Sequence, residues 1–184
     1  DEAIADFKPT TPEKEVLPAS NRVTQLVEDT ISGRRHTVPW PWHYLGKLTN
    51  ALLSETVTLL CGGIGASKSF LIAQCLAYWR SIDVRAAVFE LEDSQEYHLM
   101  RALAQRADMA GITSTDWVKD NPQLVRDALK KHKDFIDQMS QCIFASPYSQ
   151  LTQDQLANWI ESQAKEGCRV ICADPVTACV QTSE

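Results

Sequence analysis

The stretch Leu60-Cys61-Gly62-Gly63-Ile64-Gly65-Ala66-Ser67-Lys68-Ser69 decides the reading of this chain. It passes from an apolar segment through a glycine-rich turn to a lysine and a hydroxyl that open a helical pattern. Three glycines within four positions let the backbone curl so that successive N–H groups point inward, and a helix after such a turn adds its positive end. The product is a cradle for phosphate oxygens. In this reading Gly62, Gly63, Ile64, Gly65, Ala66, Ser67, Lys68, Ser69 and Phe70 line a nucleotide, Lys68 reaches its β/γ-phosphates and Ser69 ligates Mg²⁺. Ser67 stands where the pattern G-x-x-x-x-G-K-[ST] has its second glycine. A helical backbone there suits serine, whereas a left-handed one costs a non-glycine residue about 1–2 kcal/mol.

The flanks agree with the loop. Upstream, Thr56-Val57-Thr58-Leu59-Leu60 is β-branched and apolar, which predicts a buried parallel strand. Downstream, Phe70, Leu71, Ala73, Cys75, Leu76 and Trp79 recur at helical spacing. Further along, the pattern predicts a strand at Ala86–Leu91, a helix from Ser94 to about Met109 and a helix from Pro122 to about Met139. After these come a short strand at Cys142–Ala145, a helix from Thr152 to about Lys165 ending at Gly167, and a strand at Arg169–Ala173. Alternating strands and helices predict an α/β fold, a mostly parallel sheet flanked by helices on both faces.

The chain has 184 residues, 44% hydrophobic and 23% charged, which suits one domain plus an arm. Pro9, Pro12 and Pro18 among charges and threonines mark a flexible arm, followed by an amphipathic helix carrying Val23, Leu26, Val27 and Ile31 on one stripe and Gly33 at its end. Residues 1–36 are therefore the arm with its linker helix, and 37–184 the domain. In Pro39-Trp40-Pro41-Trp42, which suits neither helix nor central strand, the tryptophans are expected to cover the edge of the core. No apolar run has the length of a membrane span and the first residues carry no secretory pattern, so the expectation is a cytoplasmic protein without membrane contact. The missing initiator Met and the stop just after an apolar strand at Thr177-Ala178-Cys179-Val180 are read as a piece of a longer protein, its sheet cut short. Six cysteines and four histidines show no metal-ligand spacing and are expected to be small buried thiols and scattered imidazoles. A net charge of −6 argues against a nucleic-acid surface spread over the domain. Arg126, Lys130, Lys131 and Lys133 cluster on one predicted helix, but Asp127 and Asp134 intersperse them, as on a solvated face.

In parallel sheets ligands bind beyond the carboxyl ends of the strands, so polar residues there are the candidates. Asp174 ends one apolar strand and suits a carboxylate that holds Mg²⁺ with Ser69; the other reading is a turn cap before Pro175. Glu92 and Asp93 end another. Glu92 suits a base for an attacking water, while Asp93 or Ser94 suits the cap of the next helix. Arg101 shares a helix face with Ser94.

Leu91-Glu92-Asp93-Ser94-x-Glu96-x-x-x-x-Arg101 resembles the segment after the P-loop helix in RecA-like ATPases of the hexameric replicative helicase group, the RepA/DnaB-type members above all. Arg169-Val170-Ile171-Cys172-Ala173-Asp174-Pro175-Val176-Thr177-Ala178 is similar to that group's Walker B strand, and the three motifs fall in the group's order from about Trp42 onward. The resemblance implies a RecA-like P-loop NTPase that ends after Walker B, with ATP and Mg²⁺ as cofactors. Lys68 would bind the phosphates, Ser69 and Asp174 the metal, Glu92 would be catalytic and Arg101 would lie near the nucleotide. It further implies a hydrolase in a homo-oligomeric ring, a hexamer, acting as a helicase on single-stranded DNA in replication, with the arginine finger and DNA loops beyond Glu184. The alternatives are a regulatory or recombination-mediator ATPase acting on a protein partner, and a degenerate scaffold that only holds nucleotide.

Overall fold

The computed structural model describes residues 18–35, 37–49, 51–63, 65–145 and 151–178. The chain divides into two compact units, 1–36 and 37–184. The described part of the first unit is one helix, α1 (Ala19–Ile31), closed by Gly33 at φ +72°. None of its residues is buried.

The second unit is α/β. Its order is α2 (His43–Leu48), α3 (Lys68–Ser81), β1 (Ala86–Glu90), α4 (Gln95–Ala107), a 3₁₀ turn (Ala110–Thr113), α5 (Thr115–Asp120), α6 (Pro122–Lys131), α7 (Lys133–Ser140), β2 (Ile143–Ala145), α8 (Gln153–Lys165), β3 (Val170–Asp174) and a closing 3₁₀ turn (Val176–Ala178). The strands form a parallel sheet in the order β2-β1-β3. Every residue of the central β1 is buried, as its run Ala-Ala-Val-Phe demands.

Side chains alternate across a strand, and here the alternation sorts the two faces. Ala86 and Val88 pack with Cys75, Leu76, Trp79, Ala102 and Met139, so α3, α4 and α7 cover one face. Phe89 packs with Leu151 and Leu156 and stands edge-on to Trp159 at 4.9 Å, so α8 covers the other. The helix α8 starts on a capping box in which the Thr152 hydroxyl accepts from Gln155 N–H and the Gln155 side chain accepts from Thr152 N–H. Gly167 follows its end at φ +88°. Trp40 lies against Trp79, whose indole donates to Pro39 O, so Trp40 covers the core edge as expected while Trp42 is partly exposed.

Four expectations need correction. Thr56–Leu60 is not a strand: it makes no ladder, and Val57 and Leu59 are 96% and 75% exposed. A β-branched run forms a strand only where a neighbouring edge takes up its N–H and C=O groups, and none of the described strands pairs with this one. The helix expected over 122–139 is two helices broken at His132 (φ −111°, ψ 20°). The break lets α6 turn Val125 and Ala128 into a satellite core with Leu103 and Ile112, while α7 turns Met139 toward the sheet. The strand expected from Thr177 is 3₁₀ at Val176–Ala178; Cys179 and Val180 lie outside the described residues. Among the described cysteines all are free, and Cys61 is exposed rather than buried, since it belongs to the unpaired stretch before the loop. Burial pushes the thiols of Cys75 and Cys172 up to about 12.

Candidate functional site

The glycine-rich segment leads into α3, fourteen residues long, with no side-chain cap at its N-terminus. The N–H groups of its first turn are therefore left for another acceptor. The loop is tight: a Cβ on Gly62 would lie 3.2 Å from that of Ala66, Ala66 N–H donates to Gly63 O, and Gly65 is at φ +76°. Ile64 lies outside the described residues. Ser67 is left-handed (φ 58°, ψ 29°), the conformation in which glycine is free and serine strained. Lys68 folds back over the turn, its Nζ donating to the carbonyls of Gly62 and Gly63 at 3.1 Å each. The ammonium thus sits beside the uncapped start of α3, held by two backbone oxygens.

Helix α4 grips the first turn of α3. Gln105 Nε2 donates to Phe70 O, and the Arg101 guanidinium lies between two rings, 4.8 Å from the Phe70 centroid and 4.5 Å from that of Tyr97. At its other end α4 is capped by Ser94, which accepts from Tyr97 N–H, and Gln95 Nε2 donates to Ser140 O and Ile143 O, tying the helix to β2. Capping by Ser94 settles one choice left open by the residues: Glu92 and Asp93 lie in the exposed bend between β1 and the cap. Glu92 has no hydrogen bond or ion pair among the described residues.

Asp174 ends β3 and is 7% exposed, directly in register with Glu90 of β1. Its Oδ2 is buried without a hydrogen-bond partner. A desolvated carboxylate oxygen without a donor is costly, and a cation relieves that cost. The pattern of Val88 and Cys172, register partners that both pack on the α3/α4 face, sends Glu90 and Asp174 to that face as well. There Glu90 Oε2 lies 3.2 Å from His98 Nε2 of α4, both side chains buried. Burial, with the Asp174 and Asp93 charges behind it, pushes the Glu90 carboxyl up to about 8, against the opposing pull of Arg101. Burial also holds the His98 imidazole below its ordinary range, with Arg101 adding to that effect and Asp93 and Asp174 opposing it. Burial thus favours the uncharged form of both partners of this contact.

The structure therefore places the predicted residues in two groups. Gly62, Gly63, Gly65, Ala66, Ser67, Lys68, Ser69, Phe70 and Arg101 belong to the loop and the first turn of α3 with its α4 clamp; Asp174 belongs to the carboxylate end of the sheet, and Glu92 to an exposed bend beside it. Glu90, His98, Tyr97 and Gln105 were missed. Glu90 was legible as a charge inside an apolar strand run, and His98 as the residue one turn after Ser94 on the face shared with Arg101. Among the described residues no group of three or more His, Cys, Asp or Glu side chains is arranged to hold a metal by itself, and no helix is long and apolar enough to cross a membrane. No family model matches this chain, nor does any curated protein or solved structure.

Proposed function

We propose that this chain binds Mg·ATP at Gly62–Ser69 as a RecA-like P-loop ATPase and hydrolyses it, and that in a ring-shaped homo-oligomer the hydrolysis drives unwinding of, or translocation along, single-stranded DNA. The observation that carries the nucleotide reading is Lys68 turned onto the Gly62 and Gly63 carbonyls at the uncapped start of α3. Helix dipole, first-turn N–H groups and ammonium all favour a phosphate there. The orphan oxygen of Asp174 supports a cation at the strand end, and Mg²⁺ suits a site with a single carboxylate because it takes its other ligands from hydroxyls, water and phosphates. The helicase reading rests on the resemblance of Leu91–Arg101 and Arg169–Ala178 to that group.

When bound, Mg·ATP supplies the phosphoanhydride to be cleaved and a cation that offsets the charge developing on its oxygens. Lys68 exchanges two loop carbonyls for phosphate oxygens. Ser69 and Asp174 hold the cation, and Glu92, exposed and unpaired, orients water and accepts its proton. Arg101, fixed between Phe70 and Tyr97, keeps its charge beside the first turn of α3. The test is steady-state Mg·ATP turnover with and without single-stranded DNA, alongside binding of a fluorescent ATP analogue. DNA-stimulated turnover supports the helicase reading, DNA-independent turnover the regulatory ATPase, and binding without turnover a scaffold. Absence of binding overturns the site.

A further inference from the structure

The helical layer over the sheet carries a second, open cleft, of about 530 Å³, between α3, α4 and the break that separates α6 from α7. Its walls include the apolar Phe135 and Met139. Around them stand Arg80 from the last turn of α3, Arg106 from the last turn of α4, and Lys131 with His132 at the break. One carboxylate, Asp134, joins them. The break at His132 is what brings Lys131 into the company of arginines from two other helices; an unbroken helix over 122–139 would leave it on a solvated face.

The charges in this cleft are not neutralised within the fold. Among the described residues Arg80, Arg106, Lys131 and Asp134 form no ion pair. Arg80 donates a long 3.5 Å bond to Gln141, and Arg106 lies over the Phe135 ring at 5.4 Å, an arrangement that leaves the in-plane N–H edge of the guanidinium open. His132 senses the local field: burial, then the charges of Lys131 and Arg106, lower its pKa. Cations gathered from three helices with no ion pair among the described residues give this cleft a local excess of positive charge in a chain of net charge −6.

We infer that this cleft binds a small phosphorylated molecule, its phosphate held by Arg80, Arg106 and Lys131 and its apolar or planar body lying against Phe135. Guanidinium forks match phosphate geometry, and the volume is that of a small-molecule site. A nucleic-acid strand carries the same phosphates, but it needs a continuous track of cations, whereas these three line one open cleft that also contains Asp134. The inference does not rest on the nucleotide site at Gly62–Ser69, although Gln105, which donates to Phe70 O, also lines this cleft.

The full chain carrying Lys68→Ala, which weakens the glycine-rich loop as a competing phosphate site, is titrated with inorganic pyrophosphate, adenosine monophosphate and adenosine while backbone amide shifts are followed. Saturable shifts at Arg80, Arg106 and His132 are expected with both phosphorylated probes, and at least tenfold weaker binding of adenosine. Adding Arg106→Gln and Lys131→Gln should weaken both phosphorylated probes at least tenfold while the thermal midpoint falls only by the small amount that the lost Arg106–Phe135 contact accounts for, because neither side chain is buried. Shifts that fail to saturate, or equal affinities in the variant, overturn the inference. Tighter binding of a thymidine oligonucleotide than of either probe, lost in the same variant, overturns it in favour of a nucleic-acid surface.

Discussion

Glu90 and His98 meet 3.2 Å apart beneath α4, each buried, with Asp174 in register beside the glutamate. The pair makes stability depend on pH in a defined direction. The folded carboxyl titrates at about 8 against an ordinary 4.5, so the folded state holds a proton that the unfolded chain gives up, and stability falls as pH rises from about 4.5 through 8. His98 acts oppositely. Its folded pKa lies below 6.5, so its contribution is complete above 6.5 and is lost as pH falls through the lowered value. Above 6.5 only the glutamate term remains. Urea unfolding should show stability declining between pH 6.5 and 8 by at most about 1.4 kcal/mol per unit, and Glu90→Gln, which keeps a donor toward His98 without a charge, should flatten that decline. An equal slope in the variant would assign the pH dependence to other groups.

Lys68→Ala should weaken binding of a fluorescent ATP analogue at least tenfold, because a charge-assisted contact to the terminal phosphates is lost. Unchanged affinity would remove the loop as the site.

Ser67→Gly bears on strain. Serine is left-handed here, so glycine should stabilise the fold by about 1 kcal/mol and hold or tighten nucleotide binding. Differential scanning calorimetry and the same titration read both effects. A lower midpoint would mean that the hydroxyl makes a contact worth more than the strain.

Glu92→Gln should leave Mg·ATP binding intact and cut turnover of the active assembly by about 10² or more, with Asp93→Asn much milder. The reverse order in a phosphate-release assay would make Asp93 the base.

Gly111→Ala tests the satellite core. A Cβ there would lie 2.2 Å from the Trp117 ring, so the 3₁₀ turn and α5 must separate, at a cost of about 1–3 kcal/mol in chemical denaturation. A wild-type midpoint would show that Trp117 swings aside freely.

What was legible in the residues was what local pattern governs. The helical spacing from Phe70 to Trp79, a cap at Asp93 or Ser94, the helix starting at Thr152 and the apolar runs of β1 and β3 all lie within a residue or two of their predicted places. Thr56–Leu60 was misread because a strand is a property of two segments, and only one of them is written in the run itself. The break at His132 was hidden for a related reason: α6 and α7 share one amphipathic pattern, but α6 serves the satellite core alone while α7 reaches both cores. At the site, the loop and Asp174 stood out by motif. Glu90 and His98 did not, because their meeting depends on which face of the sheet α4 covers.

The grip of Gln105 and Arg101 on Phe70 makes a lever of α4. A helix of thirteen residues is a rod of about 20 Å. One end clasps the turn that begins at Lys68, and the other begins at the cap immediately after Glu92 and Asp93. Were the first turn of α3 to shift, α4 is the stiff element through which the acidic bend would follow, and the Gln95 bonds to Ser140 and Ile143 are the tether that such a tilt would have to work against.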